Sequence, residues 1–203
     1  MNRLHIVPLL ALFLVTLALP APAHSQDVLI RNARVHTLTA QGTLERADVL
    51  VRGGRVVEVG SNLAAPGAQV TEANGRPLTP GLFGGISGLG ISEIELESST
   101  VDRAALVDSG ASGPGFVPRP EFDVTQAFNP DSAVIGVNRA EGITFAMIAP
   151  MASGTLFAGQ GAVARLDGSD SPFVAASRTQ FLDMGPSATA GVGYSRGAQF
   201  MLL

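Results

Sequence analysis

Short apolar runs separated by turn residues follow the first 26 residues and predict β-strands. The runs Val49-Leu50-Val51 and Val56-Val57-Glu58-Val59 flank Gly53-Gly54. Both central residues of a type I′ turn need a positive φ, which glycine adopts without steric cost, so this spacing predicts a β-hairpin. Asn74-Gly75 is a second two-residue turn of the same kind. These strands are too few for an independent domain, and we expect residues 26–80 to form a partial β-sandwich.

A pattern of helix and strand replaces the short strands after Pro80. Asn129-Pro130-Asp131 provides an N-cap, a proline at the first helical position and an acid in the first turn, while Gly142 provides the stop. A helix is therefore predicted over residues 130–141. The apolar run of residues 143–149 predicts a strand buried on both faces. With the strand predicted over residues 91–97 and the loop predicted over residues 108–120, this helix and this buried strand make a βαβ unit, which requires a parallel sheet.

Further strands and one long loop complete the predicted organisation of residues 81–203. Residues 91–97 alternate between apolar side chains and glutamates, which predicts another strand. Residues 108–120 are rich in glycine and proline and predict a surface loop. Residues 161–166 and 180–182 are interpreted as short strands.

The first 25 residues have the pattern of a secretory signal peptide. Arg3 gives a positive n-region, residues 6–19 are almost entirely apolar, and Ala21-Pro22-Ala23 is a small-residue cleavage motif. The apolar run is shorter than the ~20 residues that cross a membrane, so no stable membrane anchor is expected after cleavage. We therefore expect a secreted or periplasmic protein that is cleaved after Ala23 or Ser25.

The amino-acid composition excludes several classes of catalytic and binding site. It has no cysteine, and its 13 basic residues are all arginine, against 17 acidic residues, for a net charge of −4. Nucleic-acid binding normally needs a clustered basic face, which this sequence lacks, so no nucleic-acid partner is expected. Without cysteine or lysine, the chain has no thiolate metal ligand, thiol nucleophile or Schiff-base amine.

The order of strands and turns that ends in Thr79-Pro80-Gly81-Leu82 resembles the N-terminus of amidohydrolase-superfamily enzymes. Imidazolonepropionase-like and dihydroorotase-like members are the most similar, and Glu141-Gly142-Ile143-Thr144 resembles the segment that opens a later barrel strand of the family. The resemblance implies an α/β fold with a β-sandwich. Residues 26–80 would form the N-terminal part of a composite β-sandwich, and residues 81–203 the first strand-helix units of an incomplete (β/α)8 barrel.

The resemblance also implies hydrolysis of C–N bonds in non-peptide or cyclic amides with one or two divalent metals such as zinc. The family usually continues Pro-Gly-Leu into a His-x-His pair whose imidazoles bind the metal at the barrel mouth. Here Ile86 and Gly88 stand at these two positions, and neither can bind a metal. His36 is alone in the sandwich segment and is interpreted as a surface or packing residue. The sequence therefore assigns no catalytic, cofactor-binding or metal-ligating residue, and no cofactor is expected in this chain.

Chain length limits the predicted barrel. A closed (β/α)8 barrel takes about 250 residues, more than residues 81–203 provide. We expect an N-terminal fragment or truncated product of an exported amidohydrolase-like protein, inactive alone, whose small-molecule substrate the sequence does not identify. Its unpaired strand edges are expected to cause self-association. The alternative is a non-catalytic periplasmic binding or structural pseudoenzyme that kept the fold after losing the metal site.

Three other sequence patterns match motifs or ligand sets of known functional sites. Gly193-Tyr194-Ser195-Arg196-Gly197 matches the G-x-S-x-G nucleophile elbow, but no acid or histidine follows it in this sequence. Gly159-Gln160-Gly161 opens a loose G-x-G-x-x-A pattern that leads into a predicted strand, whereas a dinucleotide site needs a helix there. Glu93, Glu95 and Glu97 could bind a hard cation from one strand face. We interpret the first pattern as a chance match, the second as a turn with a close backbone approach, and the third as a solvated face that Arg103 neutralises.

Overall fold

The computed structural model describes residues 26–104, 120–152, 156–185 and 195–201. They belong to two compact units, Met1–Pro80 and Gly81–Leu203, and each unit is described by itself. The predicted signal peptide, residues 108–119 of the predicted loop, and Gly193 and Tyr194 lie outside the described residues. Within the described ranges, no helix has the length and hydropathy needed to span a membrane.

The first unit contains one five-stranded sheet in which β1 is central. Its strand order is β3-β2-β1-β4, and β5 also pairs with β1. The β1–β2 and β2–β3 pairs are antiparallel, whereas β4 and β5 run parallel to β1. The strands are β1 (Val28–His36), β2 (Thr43–Arg52), β3 (Arg55–Gly60), β4 (Gln69–Glu72) and β5 (Pro77–Leu78).

The predicted hairpin is confirmed, and the second glycine turn has a different role. Gly53 and Gly54 join β2 to β3 with φ angles of 54° and 75°. Asn74 and Gly75 have φ angles of 52° and 75°. However, they connect β4 to β5, and both of these strands run parallel to β1. This turn therefore makes no hairpin.

The core cluster of the first unit lies on one face of its sheet. Buried side chains from β1 and β2 form it, with Ala73 after β4, and partly buried neighbours pack against it. Leu29 and Leu50 are also buried, and they pair with each other on the opposite face of the sheet. A sheet with buried apolar side chains is consistent with the β-sandwich-like N-terminal part of an amidohydrolase. The buried residues of this core are Ala33, Val35, Ala47, Val49 and Ala73.

The second unit contains a four-stranded sheet in the order β6-β7-β8-β9. Strands β6 and β7 are parallel, and helix α1 lies between them in the chain, so a βαβ unit is present, but its first strand is β6 and not the predicted residues 91–97. The strands are β6 (Leu82–Ser87), β7 (Ile143–Ile148), β8 (Phe157–Arg165) and β9 (Thr179–Leu182). The helices are α1 (Ala133–Ala140) and the short α2 (Arg196–Met201), with 3₁₀ turns at Ser98–Thr100 and Val124–Ala127.

The sheet does not continue as the barrel that the sequence suggested. Strand β8 is antiparallel to β7, and β9 is antiparallel to β8, so β6 and β7 are the one parallel pair among the described strands of this unit. Residues 149–156 connect β7 to β8, and this connection is too short for a crossover, which needs about a dozen residues or more. The first strand-helix unit is present, and the incomplete barrel is not confirmed.

Helix α1 begins later than the predicted Pro130. Asn129 Oδ1 accepts a hydrogen bond from the Asp131 N–H at 3.0 Å, which closes a turn ahead of the helix. Ser132 then occupies the N-cap position, and the helix starts at Ala133. The side chain of Asn129 therefore bonds its own turn, and Ser132 occupies the N-cap position without a side-chain capping hydrogen bond.

Strand β7 is buried on one face and not on both. Ala146 and Ile148 are fully buried and pack with Ile91, Val124 and Ala164 in one core cluster. On the opposite face, Phe145 is exposed and Ile143 and Met147 are only half-buried. The apolar run therefore predicted the strand correctly, but the prediction that both of its faces are buried is wrong.

Residues 91–97 do not form the predicted strand. Ser92 makes an isolated bridge with Val101, and the rest of the segment consists of turns. Leu96 is 99% exposed, so the alternation does not separate a core face from a solvent face. The Thr100 hydroxyl donates to the Ile94 carbonyl at 3.0 Å, and the Glu97 carboxylate caps the 3₁₀ turn. Such local side-chain bonds compete with strand pairing.

Candidate functional site

The carboxyl end of the β6–β7 pair is the candidate functional site. Ligands of open α/β sheets bind beyond the carboxyl ends of parallel strands. Strand β6 ends at Ser87, where Ser87 pairs with Ile148 of β7. Ile86 is 74% exposed, and Gly88 follows the strand directly. The two positions that the family resemblance marks as metal ligands therefore lie at the edge where a ligand is expected.

Arg103 lies against Gly88 at this edge. A Cβ atom built on Gly88 would be 3.8 Å from Cδ of Arg103 and 3.9 Å from its Nη1. The Arg103 guanidinium donates from Nη2 to the Glu95 carboxylate. Glu95 in turn accepts a hydrogen bond from the Ser92 hydroxyl at 2.9 Å. A guanidinium thus stands beside the second ligand position, held by a carboxylate that a buried serine orients.

Backbone hydrogen bonds bring Arg103 to the strand ends. The segment after β6 folds back on itself, because the Asp102 N–H donates to the Ile91 carbonyl at 2.8 Å and the Glu93 N–H to Thr100 at 3.0 Å. The Met151 N–H then donates to the Arg103 carbonyl at 2.7 Å. Arg103 is therefore fixed to the residues that follow both parallel strands, although it lies far from β7 in sequence.

The three glutamates of the predicted row have separate partners. Glu95 binds Arg103 and Ser92, whereas Glu93 accepts a hydrogen bond from Asn129 Nδ2 at 3.3 Å. Hydrogen bonds from the side chain and the N–H of Ser99 lower the pKa of the exposed Glu97. Among the described residues, no group of three or more His, Cys, Asp or Glu side chains could hold a metal ion.

A second polar cluster joins the loop before β9 to the second 3₁₀ turn. Arg178 Nη1 donates to the Asp123 carboxylate and, at 3.3 Å, to Gln160 Oε1. Asp123 also accepts from the Thr125 N–H and hydroxyl at 3.1 and 2.7 Å. Burial raises the pKa of Asp123, but the hydrogen bonds and charge of Arg178 and the bonds from Thr125 outweigh it and leave that pKa lowered. This cluster ties chain segments together and opens onto no strand end.

The glycine pattern at Gly159-Gln160-Gly161 lies inside strand β8. Gly159 has a φ of 119°, and a Cβ there would be 2.4 Å from the Phe122 carbonyl oxygen. A Cβ on Gly161 would be 2.0 Å from the Ile148 carbonyl oxygen. The predicted close backbone approach is confirmed, but the predicted turn is wrong, since strand backbone continues through the pattern where a dinucleotide site requires a helix.

The remaining candidate residues have local roles. His36 Nδ1 is 3.1 Å from the Thr43 hydroxyl in the first unit. The Ser195 hydroxyl accepts from the Ala198 N–H at 3.3 Å at the start of α2. Neither contact joins these residues to the β6–β7 edge.

Both units carry open cavities of moderate size. A cavity of about 480 Å³ in the first unit lies over valines of β2 and β3, and its lining is mainly apolar. Another cavity of the first unit, about 350 Å³, has a polar lining that includes Arg31, Asp48 and Glu72.

A cavity of about 380 Å³ in the second unit is lined by Phe128 and Phe173 and by the polar side chains of Thr125, Asp170 and Ser171. The two rings are in edge contact, with centroids 5.2 Å apart.

Comparison with known proteins identifies the family that the chain is similar to. No protein-family model matches it. Over 66 residues, it is 42% identical to the imidazolonepropionase of Klebsiella pneumoniae. Over 54 residues, it is 43% identical to the dihydroorotase of Halalkalibacterium halodurans. An amidohydrolase from Thermotoga maritima has a similar structure, with a TM-score of 0.66 and 26% identity over 86% of this chain. The resemblance to the amidohydrolase superfamily is confirmed.

The amidohydrolase resemblance is partial. The matched segments are 30% and 27% of this chain, and they span 16% of the imidazolonepropionase and 12% of the dihydroorotase. The match covers 45% of the Thermotoga maritima amidohydrolase. These findings support a resemblance to amidohydrolases, and the chain spans less than half of the length of the proteins it matches.

The residues at the amidohydrolase ligand positions do not fit a divalent metal. Ile86 offers an alkyl chain and Gly88 no side chain, whereas zinc takes imidazole, thiolate or carboxylate ligands. The charged group beside Gly88 is the Arg103 guanidinium, which donates hydrogen bonds and cannot ligate a cation. We therefore derive no chemical step through a metal at this edge.

Proposed function

We propose that this chain is the scaffold portion of an exported amidohydrolase-like protein and hydrolyses no C–N bond by itself. The observation that carries the proposal is the carboxyl end of β6, where Ile86 and Gly88 take the ligand positions and Arg103 lies beside Gly88. The activity that the resemblance implies, hydrolysis of non-peptide or cyclic amides, would need metal ligands at positions other than Ile86 and Gly88.

A turnover assay tests this proposal. The purified chain is incubated with Zn²⁺, Mn²⁺ or Ni²⁺ and a panel of cyclic amides such as hydantoin and dihydroorotate, and ring opening is followed by absorbance. We expect no turnover above that of a heat-denatured control. Metal-dependent turnover that scales with the chain's concentration would contradict the proposal.

The second candidate function is non-catalytic binding of a small molecule in the periplasm or outside the cell. It is favoured by the ordered polar group of Ser92, Glu95 and Arg103 at the strand ends.

A further inference from the structure

The polar cavity of the first unit has a lining in which both signs of charge meet. We propose that it binds a small α-amino acid as a zwitterion, with the ligand carboxylate on Arg31 and the ligand ammonium group on Asp48 and Glu72. This binding site goes beyond the proposed function and does not depend on it. The cavity has a volume of about 350 Å³ and is lined by Arg31, Asn32, Asp48, Asn62, Leu63 and Glu72.

Strands β1 and β4 place two opposite charges side by side at this cavity. Arg31 and Glu72 are direct partners in the parallel β1–β4 pair, and neighbouring strands lie about 4.8 Å apart. Both side chains are exposed, and neither makes an ion pair or a side-chain hydrogen bond with another of the described residues. A guanidinium and a carboxylate are therefore both available to a ligand that carries both charges.

The buried carboxylate of Asp48 adds a second negative charge, which is fixed in place. Asp48 is 8% exposed. Its Oδ1 accepts a hydrogen bond from the Asn32 N–H and its Oδ2 accepts one from the Leu63 N–H, both at 3.0 Å. A carboxylate oxygen can accept two hydrogen bonds, so each oxygen keeps a lone pair for the N–H donors of an ammonium group. Because the carboxylate is already positioned, a ligand loses less free energy in ordering it.

Two asparagines in the left-handed region complete the polar lining. Asn32 has a φ of 51° and lies where the register of β1 against β2 shifts, and Asn62 has a φ of 56° and lies just after β3. Asparagine adopts this conformation more readily than most other residues that have a side chain. The two side-chain amides provide donors for a carboxylate and acceptors for an ammonium group. Leu63 is the apolar residue of the lining, so it favours a ligand with a small apolar side chain.

This combination of charges favours a zwitterion over a ligand with one charge. The ammonium and carboxylate groups of an α-amino acid are bonded to the same carbon atom, so they match charges that adjacent strands present. An anion alone would face the carboxylates of Asp48 and Glu72, and a cation alone would face the guanidinium of Arg31. The cavity volume lies near the lower end of the range of about 300–1,000 Å³ for small-molecule pockets, which suits a ligand as small as alanine.

A titration of the purified chain with L-alanine tests the site directly. The backbone amide resonances of Asn32 and Leu63 report on binding, because both N–H groups are bonded to Asp48. Propionate lacks the ammonium group of L-alanine, and ethylamine lacks its carboxylate, so these two compounds are the matched ligand controls. We expect saturable shifts with L-alanine in about the millimolar range, and binding of each control weaker by about fivefold or more. No saturable shift with L-alanine, or equal affinity for either control, would overturn the proposal.

Substitutions of the two exposed charges test which end of the ligand each one binds. We expect Arg31→Gln and Glu72→Gln each to weaken L-alanine binding by about fivefold or more. Arg31→Gln should weaken propionate binding but not ethylamine binding, and Glu72→Gln should do the reverse. The matched controls are Arg34→Gln and Glu45→Gln, which change exposed charges of β1 and β2 outside the cavity lining and should leave affinity unchanged. Unchanged L-alanine affinity in Arg31→Gln or Glu72→Gln, or an equal loss in the controls, would contradict the assignment.

Discussion

At the scale of single residues, close backbone approaches decide which positions must be glycine. A Cβ on Gly161 would be 2.0 Å from the Ile148 carbonyl oxygen, a backbone atom that cannot move aside. Gly136 in α1 is the opposite case, because nothing lies within 4 Å of a Cβ built there. The glycine pattern around Gly161 indicated its close backbone approach at the level of sequence. However, no local pattern distinguishes a glycine that a Cβ would bring into a clash, such as Gly161, from one with open space, such as Gly136.

These two glycines give opposite predictions for the same substitution. Gly161→Ala forces β8 away from β7, and we expect it to lower the free energy of unfolding by about 1–3 kcal/mol. Gly136→Ala is the matched control and is expected to raise it by about 1 kcal/mol, because alanine has the higher helix propensity. Thermal or urea unfolding followed by circular dichroism measures both. Equal effects of the two variants would contradict the close approach of β8 to β7 at Gly161.

The ion pair of Asp123 and Arg178 predicts a pH dependence of stability. The pKa of Asp123 is lowered in the folded chain, so its charge stabilises the fold above the ordinary carboxyl pKa, and this contribution is lost as the pH falls below about 4. We expect Asp123→Asn to lower Tm at neutral pH and to make Tm fall less steeply on acidification. The control is Asp170→Asn, an exposed position in the same unit. An unchanged acid slope in Asp123→Asn would contradict the assignment.

At the scale of elements, sequence patterns predicted strands and turns better than pairings. The β2–β3 hairpin and strand β7 were predictable because glycine turn chemistry and apolar runs are local properties. Residues 91–97 were misassigned because Glu97 and Thr100 bond the local backbone and form a turn. The direction of β8 and the place of Arg103 depend on contacts between segments far apart in sequence, which no local pattern records.

The apolar N-terminal run predicts that export depends on its hydrophobic centre. Leu14→Arg places a charge in the middle of this run, which costs about 2.5–3.5 kcal/mol on insertion scales. We expect uncleaved precursor to accumulate in the cytoplasm, as measured by fractionation and mass spectrometry. Asn2→Arg serves as the control and should export normally, since it adds positive charge where signal peptides carry it. Normal processing of Leu14→Arg would contradict the signal-peptide hypothesis.

At the scale of the whole molecule, exposed strands predict self-association. Val56 on the edge strand β3, and Leu82 and Phe83 on the edge strand β6, are exposed. Unpaired edges and exposed apolar side chains favour association. We expect oligomers in size-exclusion chromatography with light scattering, together with a broad thermal transition.

A charged substitution on the sheet edge distinguishes association through strand edges from non-specific hydrophobic association. Val56→Lys is expected to reduce association, because charged side chains block edge-to-edge pairing. Leu96→Lys removes a side chain that is even more exposed but lies in a turn, so it should change little. A monodisperse monomer with a sharp two-state transition would refute the prediction and would favour a self-contained binding domain.

The central prediction is that this chain holds no transition metal by itself, and elemental analysis tests it most directly. The purified chain is incubated with Zn²⁺, Mn²⁺ and Ni²⁺, desalted, and analysed for bound metal per chain. We predict no stoichiometric metal, because Ile86 and Gly88 supply no ligand and Arg103 places a positive charge beside them. One equivalent of tightly held transition metal would contradict the account.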